Sequence, residues 1–249
     1  MSNETPLLEH LKELRSRLLR GVLVTLVVFA CIAPFAHHLF RLLADPLLDK
    51  LPEGATMIAT QVATPFLTPF KLAFVVALFI SIPYLLFQLW AFIAPGLYAR
   101  EKRLFIPLTV SSIVLFYAGV AFAYFVVFPL MFGFFASVTP EGVAMMTDIA
   151  EYLDFVLTLF VAFGLAFEVP IAIVLMVWAG FTTPGLLAEK RPYVILGAFI
   201  IGMFLTPPDI ISQTLLALPM YILFELGIIF AKIAVPGSKE VDAQRRGEL

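Results

Sequence analysis

Six apolar runs separated by short polar stretches set the pattern of this chain, at about residues 18–36, 72–94, 104–135, 153–180, 192–206 and 211–234. A helix crossing lipid needs about 20 mostly apolar residues, and a helix suits that medium because it pairs its backbone groups within itself. Each run is therefore read as a spanning helix. The third and fourth exceed the bilayer, so they should tilt, bend or project from it. The fifth, PYVILGAFIIGMFL, has about 14 residues and reaches about 21 Å against roughly 30 Å of hydrocarbon. The sixth carries Gln213, Pro219 and Glu225, and the bilayer is expected to thin around these last two. Pro34, Pro83, Pro129, Pro170 and Pro219 fall in or at the runs. Bent helices whose neighbours satisfy the freed carbonyls make a concave bundle. The fold class that follows is an all-α polytopic membrane protein. It has six transmembrane helices, the fifth and sixth short, in a single integral membrane domain over residues 1–249 with a polar cytoplasmic tail at 236–249.

Composition agrees. Of 249 residues, 61% are hydrophobic and 14% charged, where soluble domains have roughly 25% charged. A net charge of −2 gives no sign of a nucleic-acid partner, and the lone Cys31 forms neither an internal disulfide nor a metal cluster. A polar, partly acidic stretch of 17 residues precedes the first run, with no small-x-small cleavage site after it, so the chain is read as mature. Thirteen of the 16 basic residues lie on one set of flanks, around Lys12 to Arg20, Arg100 to Arg103, Lys190 with Arg191, and Lys232 to Arg246; the other set holds Arg41, Lys50 and Lys71. The positive-inside rule then places both termini in the cytoplasm. Three loops face outward: a long one at about 37–71 containing Pro46, an acidic one at about 136–152, and the brief TPPD at 206–209.

Enzyme chemistry finds no footing. The histidines are His10, His37 and His38, and H-E-x-x-H, G-x-S-x-G and Walker A patterns are absent. No cofactor is expected. Carboxylates in or near lipid attract more interest. Glu168, in AFEVPIAIV, would cost on the order of 2.5–3.5 kcal/mol at mid-bilayer. It is either satisfied by neighbours for packing alone or lines a polar hollow used by a passenger or partner. Glu225 lies nearer the inner end, where snorkelling or a local pair explains it as well as a function does. Asp209, after the double proline, is placed to cap the sixth helix, which leaves room for a second role. The segment LLEHLKELRSRLLRG at 7–21 repeats leucine at helical spacing and reads as an interfacial helix entering the first span. Glu13 there, like Glu101 in AREKRLF, is a carboxylate set among basic residues.

HLKELRSRLL, FIAPGLY, FEVP, KRPYV and TPPDIISQTLLALPMY, in that order, resemble the TatC family, the receptor component of the twin-arginine protein translocase, over approximately residues 5–235. The resemblance implies that Glu13 and Arg15 help form a signal-peptide site and that Glu101 meets the paired arginines of the signal. Phe92, Leu97 and Arg103 are carried with that surface. It implies a role for Pro46 in the first outer loop, with Asp209 a further outer candidate, and makes Glu168 the acidic residue of the concave face. Met203, Thr206 and Gln213 fall where partner transmembrane helices are received. The partners implied are twin-arginine signal peptides of folded cargo, TatB-like and TatA-like single-span proteins, further copies of the chain in a receptor complex, and the lipid bilayer. The location implied is the bacterial cytoplasmic (inner) membrane, with the proton-motive force as energy source. The chemistry is coherent: arginine makes bidentate, charge-assisted bonds that lysine cannot copy, each contributing roughly 1.5–3 kcal/mol. Basic flanks would set topology while the acid recognises cargo. The plainer alternative has Glu101 pairing Arg103 or capping the third helix. A small-molecule secondary transporter is the rival class, and it predicts paired broken helices in two related halves.

Overall fold

A computed structural model of the chain describes residues 4–48, 58–93, 105–138, 140, 146–206 and 210–235. Among them the regular structure is helical, with one isolated parallel bridge between Ile58 and Asp148. Two compact units result, Met1–Ile113 with Thr139–Leu157 and Val114–Val138 with Thr158–Leu249.

In the first unit, α1 (Glu4–Ile32) passes through a 3-10 turn at Ala33–Phe35 into α2 (Ala36–Leu48). Pro34 stands at the start of that turn, where a missing N–H is harmless. The chain therefore continues as helix past residue 36. The apolar stretch runs His10–Leu43, and what reads as the start of a loop is helical as far as Leu48. α3 (Thr64–Ile93) follows, with Pro69 and Pro83 inside it. α1 lies close on α3, because a methyl at Gly21 would stand only 2.7 Å from Leu85 Cδ2. Polar side chains in these helices are satisfied locally: Thr25 donates to the Gly21 carbonyl at 3.0 Å and Ser81 to that of Ala77 at 2.8 Å. The Trp90 indole donates to Ser112 Oγ at 3.0 Å, tying α3 to α4 (Phe105–Phe122).

The chain around Ile58 is clasped to the chain around Asp148. Ile58 donates to Thr147 and accepts from Ile149. Asp148 holds both sides of the clasp. Its Oδ2 accepts from the Thr60 amide at 2.8 Å and hydroxyl at 2.6 Å, while Oδ1 accepts from the Ala150 amide at 2.8 Å and so caps α6 (Ile149–Ala166). Lys71 pairs with Asp154 beside it.

In the second unit, α4 opens into a π turn at Ala123–Val127 before α5 (Phe128–Val138). Pro129 explains the widening: it lacks an N–H, and its ring crowds the carbonyl four residues back. Pro170 acts likewise on the fourth span. α6 ends at Ala166, four residues before it, and α7 (Val169–Trp178) restarts after Phe167 and Glu168. The end of α7 is closed by Gly180 in the left-handed region, φ 74°. The amides of Phe181 and Gly180 bond back to Met176 and Val177, an arrangement that a side chain at Gly180 would strain. Thr183 then caps the short α8 (Pro184–Glu189), and α9 (Arg191–Leu205) and α10 (Ile210–Ala234) are the last described helices. Small residues set the spacing. A methyl at Gly227 of α10 would meet Ile173 Cδ1 at 2.7 Å and Pro170 Cα at 3.0 Å, and one at Gly164 would meet the Phe116 ring at 2.6 Å. Close approach of this kind drives helix association where lipid removes the hydrophobic term. Among the described residues, five helical stretches are long and apolar enough to cross a membrane, and α9 is a shorter apolar helix. The shortness resides in α9, whose 15 residues span about 22 Å; α10 has 25 and reaches about 37 Å.

The hydroxyl and amide of Thr60, with the Ala150 amide, pull the Asp148 carboxyl down to about 2, against about 3.9 in an unfolded chain. Its contribution to the clasp is therefore complete above about pH 4 and lost as pH falls toward about 2. Hydrogen exchange at the Ile58 and Ile149 amides, corrected for intrinsic rates, should show protection falling across that window, and Asp148→Asn should abolish the pH dependence. An unchanged profile in the variant would remove Asp148 from this role.

Candidate functional site

The polar end of the α1–α3 pair gathers several of the candidate residues. Glu13 is on α1, half-buried, and Arg17 one turn later donates to its Oε1 from Nε at 3.0 Å and from Nη2 at 2.6 Å. The remaining Arg17 fork nitrogen, Nη1, donates to Gln88 Oε1 on α3 at 3.1 Å. Gln88 is buried, and its Nε2 donates to Tyr84 Oη at 2.7 Å. His10 stacks on Phe92, ring centroids 4.1 Å apart and planes inclined by 16°. Its Nδ1 is 3.9 Å from Glu13 Oε2. His10 thus lies between Glu13 and Phe92, which come from different helices. Arg15 is exposed on α1, two positions from Glu13 and so on another face. Leu97, Glu101, Arg103 and Asp209 lie outside the described residues, and Pro46 lies in α2 with its side chain outside the description. Beneath the polar end, a groove of about 390 Å³ runs between α1 and α3. Leu14, Leu18, Val22, Phe74, Leu85 and Leu89 are among its apolar walls, with Arg17 and Gln88 also in its lining.

Glu168 occupies the break that Pro170 imposes on the fourth span. Its carbonyl accepts from Ala172 at 2.9 Å, its side chain makes no cap bond, and its Oε1 is buried. The third group, Met203, Thr206 and Gln213, is brought together where α9 meets α10. A Cβ on Gly202 would come within 3.5–3.9 Å of Gln213 atoms. The buried Thr206 donates from Oγ1 to the Gly202 carbonyl at 2.9 Å, while Met203 is exposed beside it. Glu225 has a local pair. Arg191 grips it with Nε at 2.6 Å and Nη2 at 2.8 Å, and Tyr221 adds a hydroxyl at 2.7 Å.

Arg17, Gln88 and Tyr84 are not singled out by the sequence reading. The one signal available was the Glu13–Arg17 spacing, which places the two on one helix face. Nothing local marks Gln88 as their partner 71 residues away.

Residues 9–219 match the family described as Sec-independent protein translocase protein (TatC). The chain is 63% identical over 227 residues to the Sec-independent protein translocase protein TatC of Azotobacter chroococcum mcd 1, covering 91% of this chain and 89% of that protein. It is 56% identical over 230 residues to that of Escherichia coli (strain K12), covering 92% and 89%. A crystal structure of the twin arginine translocase receptor TatC aligns with a TM-score of 0.81 at 39% identity, over 90% of this chain and 99% of that one.

The Gly202–Gln213 contact has a direct test. A Cβ on Gly202 lies 3.9 Å from Gln213 Cβ, against a usual disulfide separation of about 3.8 Å. The pair Gly202→Cys and Gln213→Cys, with Cys31→Ser to remove the native thiol, should crosslink on mild oxidation. Failure of that pair while a helix-separated control pair crosslinks would contradict the α9–α10 register.

Proposed function

The chain belongs to the TatC family of Sec-independent protein translocase proteins, and we propose from that premise that it is the receptor of a twin-arginine translocase. It sits in the bacterial cytoplasmic membrane with both termini inside, the side given by the distribution of its basic residues. It binds the twin-arginine signal of a folded cargo protein at the cytoplasmic face. The observation that carries this reading is the meeting of Glu13, His10 and Phe92 at one end of α1 and α3. A carboxylate at the edge of lipid beside an aromatic ring suits a ligand that pairs cationic and apolar parts. Glu13 and Glu101 accept the two guanidinium groups. Arg15, Leu97 and Arg103 complete the surface.

After docking, the apolar part of the signal moves along the bundle toward Glu168, whose carboxyl in a helix break offers a polar stop within the span. TatB-like and TatA-like single-span proteins dock at Met203, Thr206 and Gln213, with Pro46 and Asp209 acting on the outer side. Several copies of the chain assemble with these partners, and the proton-motive force drives passage.

The reading is tested in cells in which this chain is the sole protein of its kind. Export of a folded reporter should be at least about tenfold greater with an arginine-pair signal than with a lysine-pair signal. Glu13→Lys with Glu101→Lys should abolish it. Equal export of the two signals, or undiminished peptide docking in the charge-reversed chain, would refute the assignment.

A further inference from the structure

We propose that Gln88, held by Tyr84, is a positioning residue for recognition of the arginine pair, acting through Arg17 on Glu13. The inference rests on the reading of Glu13 as a guanidinium acceptor.

A carboxylate on a helix surface samples several rotamers, and each must be given up when a rigid, planar cation binds it at two points. Here that freedom is already restricted. Both Nε and Nη2 of Arg17 converge on one oxygen, Oε1 of Glu13. Arg17 in turn is fixed from the opposite helix, because its Nη1 reaches Gln88 Oε1 at 3.1 Å. Only the amide oxygen of Gln88 can accept that bond, so the amide must face Arg17 with its carbonyl. The bond from Nε2 to Tyr84 Oη, 2.7 Å, fixes it that way round. The result is a relay, Tyr84–Gln88–Arg17–Glu13, that passes from α3 through the buried Gln88 to the half-exposed Glu13 on α1. Its use of a single carboxylate oxygen leaves the other, Oε2, with His10 Nδ1 at 3.9 Å, beyond hydrogen-bond reach. An arriving guanidinium meets an oriented acceptor with one oxygen open, on which two of its N–H groups can converge as those of Arg17 do on Oε1. Lysine, a point charge on a flexible stem, gains little from that orientation. The relay therefore acts on the choice between arginine and lysine more than on affinity for positive charge as such.

The experiment measures binding of two fluorescent synthetic signal peptides, one with the arginine pair and one with lysines in its place, to the full chain in lipid nanodiscs. In Gln88→Leu, affinity for the arginine peptide should fall about tenfold while the lysine peptide changes little, so the ratio of the two collapses. Arg17→Lys should lower the ratio similarly, and Tyr84→Phe should lower it less. A Gln88→Leu chain that melts like the parent and keeps its ratio overturns the inference. So does equal weakening of both peptides, which marks a structural role, and so does tighter arginine-peptide binding in Arg17→Lys, which would make Arg17 a blocker. If Gln88→Leu does not fold, Tyr84→Phe decides by the same ratio. Glu13→Gln separates the two levels of the argument. Loss of the arginine preference there with an unchanged ratio in the relay variants defeats the relay alone; a retained preference defeats the reading of Glu13 itself.

Discussion

In a bilayer the peptide group has no solvent to fall back on, so each N–H and C=O must find a partner within the protein. The interruptions in this chain can be read from that constraint. Pro34 is absorbed by a 3-10 turn, Pro129 is preceded by a π turn, and Pro170 is preceded by a two-residue break. Each answer keeps the chain nearly helical. The break at Pro170 differs in consequence, because it coincides with Glu168 and so combines loosened backbone with an ionisable side chain at one level of the span. The hydroxyls of Thr25, Ser81 and Thr206 obey the same rule by bonding back to carbonyls four residues earlier.

With backbone pairing settled within helices, what distinguishes one helix arrangement from another is left to small residues and to a few polar contacts. Gly164 and Gly227 permit approach that a methyl would obstruct, and Gly21 stands against the end of the Leu85 side chain. The polar contacts join segments that are distant in the sequence. Asp148 joins the segment before α3 to the start of α6, Arg17 with Gln88 joins α1 to α3, and Arg191 with Glu225 joins α9 to α10. Exposed ion pairs are individually weak. Their value here lies in register, since each fixes which residues of two helices stand side by side.

The apolar helices were legible because they depend on runs of apolar residues, a local property. The helical stretch Ala36–Leu48 was not, since its His37, His38 and Arg41 read as departure from the membrane when they continue a helix beyond Pro34. Glu13 was legible as an anomaly of charge, and the family resemblance supplied a meaning for it. The clasp at Asp148 was hidden because Thr60 lies 88 residues away. Gln88 was hidden by its surroundings, one amide in a long apolar helix. Interactions between distant positions leave no periodicity for a single sequence to display.

The Arg191–Glu225 fork bears on how the polypeptide enters lipid during synthesis. A stretch as brief as α9 gains less from transfer out of water than a full-length span, and an unneutralised Glu225 within α10 would carry a penalty in lipid. Paired with α10, it presents a joined hairpin with its charges already neutralised, so the last two crossings should integrate as one step once Glu225 has left the ribosome.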